Sequence, residues 1–150
     1  MATITNFHIN GFLVGNPAGY VAYRVVVLVD KSANGALPSA ADVFITSATV
    51  GGSVGGLYAY RNLDNMTRFE VLYDKKHIVA PSIASMTHPP VKQFKVSRKK
   101  TFNIEWSGTS GATGTIRSNN LVVMVFMNGD VAPTSPVDDK WRWMARVRLS

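Results

Sequence analysis

Between Tyr20 and Asp30 the chain reads Tyr-Val-Ala-Tyr-Arg-Val-Val-Val-Leu-Val-Asp, apolar at odd and even positions alike. Successive side chains of a strand point to opposite faces, so this run has to be covered on both sides. It predicts a central, buried strand. Its branched valines favour extended backbone over helix, and any fold containing it must build layers around it.

The other runs rich in Val, Ile, Phe, Tyr and Thr are strand-like as well, and helical periodicity is almost absent. Thr3 to Val14 begins with alternation, Ile4, Asn6 and His8 against Thr5, Phe7 and Ile9, then meets Asn10-Gly11, which predicts a bulge or a tight turn. Lys31 to Pro38 is turn chemistry, with Gly35 able to take positive φ. From Ala40 to Leu63 runs a long connection that includes the glycine-rich stretch Gly51 to Gly56, and a link this long in a compact domain usually carries function or lies at an interface.

Arg68 to Ala80 predicts a strand with Phe69, Val71 and Tyr73 on one face. Val91 to Trp106 reads as a pair of strands or one long bent strand, apolar at Phe94, Val96, Phe102, Ile104 and Trp106, with a kink or turn at Arg98-Lys99-Lys100. A short strand is expected near Thr115-Ile116, and Leu121 to Met127 is apolar on both faces. Trp141 to Leu149 alternates cleanly, Trp141, Trp143, Ala145, Val147 and Leu149 forming a core face opposite Arg142, Met144, Arg146 and Arg148. Seven or eight strands joined by loops of very unequal length fit an all-β, two-sheet Greek-key sandwich better than an up-and-down barrel. With 150 residues, no internal repeat and no second-domain linker, residues 1–150 are expected to be one domain with one core.

Several chemistries are excluded by the residues themselves. There is no Cys, so disulfides, thiolate metal sites and Cys nucleophiles are ruled out. No basic leader or long apolar run is present, which predicts neither a secretory signal nor a membrane partner. His8, His77 and His88 lack the spacing of metal ligands. Gly108-Thr109-Ser110-Gly111 is loop composition rather than a nucleophile elbow, and Gly51 to Gly56 lacks the Lys-Ser/Thr ending of a phosphate loop. Glu70, Asp74 and Glu105 read as surface ions rather than acid–base pairs, and Asn65-Met66-Thr67 is a sequon without a signal peptide. The expectation is a protein that is not an enzyme and uses no cofactor, metal or small-molecule substrate. Asp138-Asp139, with Asp130 or Asp64, could hold calcium between subunits, although paired acids in a turn are more often simply solvated.

Sixteen Lys and Arg against nine Asp and Glu leave a net charge of +7, which favours polyanionic partners. The candidate nucleic-acid residues are Lys75, Lys76, Lys92, Lys95, Arg98, Lys99 and Lys100, together with Arg142, Arg146 and Arg148. Alternation on strands can set such cations in a row facing phosphates. The competing explanation is a set of solvated strand edges, where Lys also discourages unwanted pairing. Subunit contacts are expected from the long loops Phe44 to Tyr60 and Val131 to Lys140. Phe44, Tyr58 and Tyr60 would serve there as exposed anchors, with Asp138 and Asp139 at the second loop, unless the aromatics merely pack over the open end of the sandwich.

Four segments carry a resemblance. They are Tyr23-Arg24-Val25-Val26-Val27-Leu28-Val29-Asp30-Lys31 followed by Asn34-Gly35-Ala36-Leu37-Pro38; Asn62-Leu63-Asp64-Asn65-Met66-Thr67-Arg68-Phe69-Glu70-Val71-Leu72-Tyr73-Asp74-Lys75; Lys92-Gln93-Phe94-Lys95-Val96-Ser97-Arg98-Lys99-Lys100; and Ser118-Asn119-Asn120-Leu121-Val122-Val123-Met124-Val125-Phe126 with the terminal Arg146-Val147-Arg148-Leu149. In this order they resemble the capsid proteins of small circular Rep-encoding single-stranded DNA viruses and of satellite tobacco necrosis virus-like plant satellites, and more distantly geminivirus coat proteins. The resemblance implies a single eight-stranded jelly roll that self-assembles into a T=1 icosahedral shell around single-stranded nucleic acid, DNA by the first of these likenesses. It places the protein in the virion, and in the host nucleus during assembly. Such coats normally begin with an Arg-rich arm, whereas here a strand is expected almost directly after Met1, so the domain is read as lacking that arm. The alternative is a cellular β-sandwich module that binds carbohydrate or nucleic acid.

Overall fold

Residues 21–30 form a strand in which every position is buried. The computed structural model describes residues 1–17, 19–33, 35–45, 55–81, 89–108, 115–129 and 141–149, with the backbone alone at 55–56, 128–129 and 141–149. Among these residues stand seven strands: β1 Ala2–Val14, β2 Val21–Asp30, β3 Phe69–Val79, β4 Val91–Trp106, β5 Ile116–Ser118, β6 Asn120–Gly129 and β7 Trp141–Leu149. They pair antiparallel into two sheets, ordered β5-β4-β1-β7 and β3-β2-β6. The protein is an all-β sandwich.

The connections explain why the two sheets lie face to face. The chain crosses from one sheet to the other between β1 and β2 and again between β3 and β4. Because β1 pairs with β4 while β2 pairs with β3, one two-strand ribbon is laid along another through both layers. On the far side β6 and β7 repeat this against β2 and β1. The inner faces meet in a core of Phe7, Ile9, Leu13, Phe94 and Val96 from one sheet and Val21, Tyr23, Val25, Val27, Tyr73 and Val79 from the other. Tyr23 is fully buried, its hydroxyl donates to the Val14 carbonyl, and burial pushes that hydroxyl's pKa up to about 12.

The alternate residues of β2, Val26 and Leu28, need a second cover, and the β2–β3 connection supplies it. A short helix α1, Ala40–Val43, begins at a capping box. Ser39 Oγ accepts from the Asp42 N–H at 3.3 Å, and Asp42 Oδ2 accepts from the Ser39 N–H at 2.7 Å. Val43 at its end and Phe44 just after it pack onto Val26, Leu28, Phe69 and Val122 in a second apolar cluster. A second short helix, α2, spans Gly55–Tyr58, and Phe44 bridges to Arg61. The three-stranded sheet is thus a middle layer, which is why β2 and β6 are apolar on both faces.

Two local expectations are corrected. Asn10-Gly11 makes neither bulge nor turn, because β1 runs straight through it; Gly11 is needed there since a Cβ would collide with the Phe94 ring. The irregularity lies at Thr5 instead, between Ile4 and Asn6, and it lets Ile4 and Phe7 both face inward although three residues apart. Phe69, Val71 and Tyr73 do not share a face. A register shift opposite Val27 and Leu28 turns Phe69 and Val71 to the second cluster and Tyr73, with Leu72, to the main core. Of the two readings of Val91 to Trp106 the single long strand is the one formed: β4 runs for 16 residues without a turn at Arg98-Lys99-Lys100, and its pairing with β1 slips between Lys99 and Phe102. Gly35 has φ of 85°, in the left-handed region anticipated for it.

Candidate nucleic-acid interface

The predicted cations do not form one cluster. Pairing register divides them among three places, because residues directly opposite on neighbouring strands share a face. Phe7, Ile9 and Leu13 of β1 point into the core, so Asn6, His8, Asn10 and Phe12 belong to the outer face of the four-stranded sheet. On one side of them stand Lys99, Ser97, Lys95 and Gln93 of β4, and on the other the backbone positions Arg148, Arg146, Met144 and Arg142 of β7. One row is Lys99–Asn6–Arg148, the next Ser97–His8–Arg146, then Lys95–Asn10–Met144 and Gln93–Phe12–Arg142. No Asp or Glu occupies any of these positions. Neighbouring strands lie about 4.8 Å apart, so the Lys99 and Arg148 backbones are about 10 Å apart across Asn6.

Lys95 and Lys99 are exposed on this face, and among the described residues neither has a carboxylate partner. The arrangement can hold a flexible polyanion by charge, with Asn and Ser beside the cations to donate to phosphate oxygens. β1, the strand through the middle of the face, was not among the predicted site residues. Simple alternation sets its Asn6 and His8 on the face of Ile4, and the slip at Thr5 turns them the other way.

A second group faces the other way, towards β3. Lys92, Arg98 and Lys100 stand on the core side of β4, where the sandwich is open at its edge. Lys92 Nζ donates to the Ile78 carbonyl at 3.3 Å, Arg98 Nε to the Leu72 carbonyl at 3.4 Å, and Lys100 is ion-paired with Glu70, which also lies 3.8 Å from Lys31 Nζ. Lys75 lies on the same seam from β3, its Nζ 5.8 Å from the Tyr73 ring centroid. Lys76 is on a third surface, the covered side of the three-stranded sheet, with its ammonium 4.6 Å from the centroid of the Tyr58 ring.

The predicted subunit anchors also separate. Phe44 is fully buried, edge-on to Phe126 with centroids 5.4 Å apart, so it is not an exposed anchor; it closes the second apolar cluster. Tyr58 and Tyr60 are exposed, Tyr60 by 84%, and Ile45, Leu63 and Met66 are exposed on the same connecting layer. That layer covers a sheet face rather than the open end of the sandwich. Asp138, Asp139 and Asp130, the loop from Val131 to Lys140, His88 and the stretch from Gly51 to Val54 lie outside the described residues. Among the described residues no group of His, Asp or Glu is placed to hold a metal, and no helix is long and apolar enough to cross a membrane.

Sequence reasoning also passed over Arg24 and Asp30, the buried charges of β2. Arg24 Nε and Nη2 each donate to Asp74 at 2.8 Å, Nη1 donates to the Ala59 carbonyl at 2.7 Å, and the guanidinium lies 4.3 Å from the Phe44 ring centroid. The Arg24 hydrogen bonds hold the Asp74 carboxyl below its ordinary pKa against the opposing effect of burial. Asp30 is clasped the same way by Arg68, at 2.9 and 2.8 Å. A charged residue inside an otherwise apolar strand was the available signal, since such a charge has to be paired. The chain matches no protein-family model and no curated protein sequence.

Proposed function

We propose that the chain is a structural subunit, the coat protein of a small closed shell of T=1 type that encloses single-stranded nucleic acid, DNA by resemblance. The observation that carries this reading is the outer face of the four-stranded sheet, where Lys95 and Lys99 on one side of β1 and the positions of Arg142, Arg146 and Arg148 on the other fall in four successive rows that hold no Asp or Glu. A basic face of this kind suits a polymer held by its phosphates. The doubly laid ribbon supports the finer description of the fold as an eight-stranded jelly roll. Self-association is supported by the opposite surface of the molecule, where Tyr58, Tyr60, Ile45, Leu63 and Met66 stand exposed together on the connecting layer. On this reading the basic face lies towards the enclosed strand and the connecting layer meets neighbouring subunits.

Size-exclusion chromatography followed by electron microscopy of the purified protein tests the proposal. Closed particles of uniform diameter with co-purifying nucleic acid are expected. A stable monomer at high protein concentration overturns the coat reading and leaves the cellular binding module.

A further inference from the structure

The seam between β3 and β4 concentrates positive charge that the basic sheet face does not explain. Register turns Lys75 and His77 of β3 to the core side, opposite Val25 and Tyr23, and turns Lys92 of β4 to the core side opposite Leu13. Lys92 Nζ reaches the carbonyl of Ile78, the residue next to His77, and the His77 ring lies 6.2 Å from Phe94 and 3.2 Å from the Tyr73 hydroxyl. Three basic side chains therefore meet over one stretch of an open edge.

Among the described residues no acid is paired with them. Glu70 is engaged by Lys100 and Lys31, and Asp74 points to the other face of its sheet, where Arg24 and Arg61 hold it. The groups that face His77 are Tyr73 and Lys75 from β3, Lys92 and Phe94 from β4, and Tyr23 across β2, whose hydroxyl is committed to the Val14 carbonyl. Like charges gathered beside a half-buried imidazole repel one another, and a bound anion relieves that repulsion. Burial, Lys92 and Lys75 hold His77 below its ordinary pKa, in keeping with a site built for a counterion.

We infer that the β3–β4 seam binds an oxyanion of the phosphate class, held between the Lys75 and Lys92 ammonium groups with His77 as the third contact. This is a site separate from the face of Lys95 and Lys99, and it stands whether or not the chain forms shells. Its phosphate can be free in solution or belong to a nucleic acid, and the chemistry of the seam is the same for both.

Isothermal titration calorimetry of the whole chain with sulfate and with inorganic phosphate, at fixed ionic strength set by chloride, tests the site. Saturable binding of about one anion per chain is expected, with a weakening of about tenfold or more when Lys75→Gln and Lys92→Gln are combined. Both lysines are exposed, so the paired variant keeps its fold, checked by an unchanged circular dichroism spectrum. Sulfate does not titrate in this range, so its affinity should fall as the pH rises from about 5 to about 8 through deprotonation of His77, and His77→Gln should flatten that dependence. Competition by a 5′-phosphorylated trinucleotide but not by its unphosphorylated form assigns the site to terminal phosphate. Competition by both assigns it to the nucleic-acid backbone, and by neither to free phosphate. Non-saturating heats that follow ionic strength, or binding that survives the paired lysine substitution, overturn the inference. A flat sulfate profile in the unsubstituted chain removes His77 from the site.

Discussion

The outer faces of the two sheets use the same residue types in opposite ways. On the three-stranded sheet Arg24 lies beneath the connecting layer, with its Nε–Nη2 edge on Asp74, Nη1 on the Ala59 carbonyl and the guanidinium against Phe44. On the four-stranded sheet Lys95 and Lys99 are exposed and have no acid in register. The difference is the cover. A cation under a layer of protein loses its hydration and must recover it from a carboxylate and an aromatic ring, whereas a cation on a bare face keeps its water and remains available to a polyanion. Charge in this chain is committed to the fold where it is roofed and stays open to solvent where it is not.

The strongest way to break that comparison is to remove the roof. Phe44→Ala should cost about 4 kcal/mol in urea unfolding, because it opens a cavity in the second apolar cluster and uncovers Arg24. A loss below about 1 kcal/mol would mean that the layer does not seal the sheet.

Next in size, Asp74→Ala should cost about 3 kcal/mol by leaving Arg24 buried without its partner, while Arg24→Met combined with Asp74→Leu should recover most of that loss. If the double variant is no better than the single one, the pair does more than satisfy itself. The same pair gives a pH signature. The Asp74 carboxyl is held below its unfolded pKa by Arg24, so its contribution is complete above about pH 4 and is lost as the pH falls through the folded value. Acid unfolding followed by circular dichroism should be shallower in Asp74→Asn.

On the bare face the effect moves from stability to binding. Lys95→Ala with Lys99→Ala should change stability by less than about 0.5 kcal/mol and reduce the slope of log affinity against log salt for a single-stranded oligonucleotide by about 1.4, measured by filter binding. Lys100→Ala should leave that slope unchanged, since its ammonium is already engaged by Glu70. Equal losses from both would merge the sheet face and the seam into one surface.

The smallest expected effect is at His77. Its folded pKa lies below the unfolded one, so stability is full above about pH 6.5 and declines as the pH falls from there, and His77→Gln should remove that slope in urea titrations at graded pH.

Much of the fold was legible. The two-faced runs at Tyr20 to Asp30 and Leu121 to Met127 announced β2 and β6, and the alternation from Trp141 to Leu149 matches the register in which Trp143, Ala145 and Val147 stand opposite the buried Gly11, Ile9 and Phe7. The helix at Ala40–Val43 escaped because four residues are too few to show a period of 3.6, and only its capping box Ser39 to Asp42 betrayed it. Of the candidate site, the cations were visible but their grouping was not. Lys99 and Lys100 are neighbours in sequence, yet one faces outward in the row of Asn6 and the other is paired with Glu70.

By itself, then, the order of residues determined which stretches are strands, which of them are buried on both sides, and that positive charge is in excess. Those properties follow from side-chain alternation and composition, which are local. Tertiary structure alone decided which cations share a face, that Phe44 is roof rather than anchor, and that Arg24 meets Asp74 across 50 residues of chain. A one-residue slip at Thr5 or at Leu72 inverts every position beyond it, and the energy of such a slip is set by what packs on the strand from other parts of the chain.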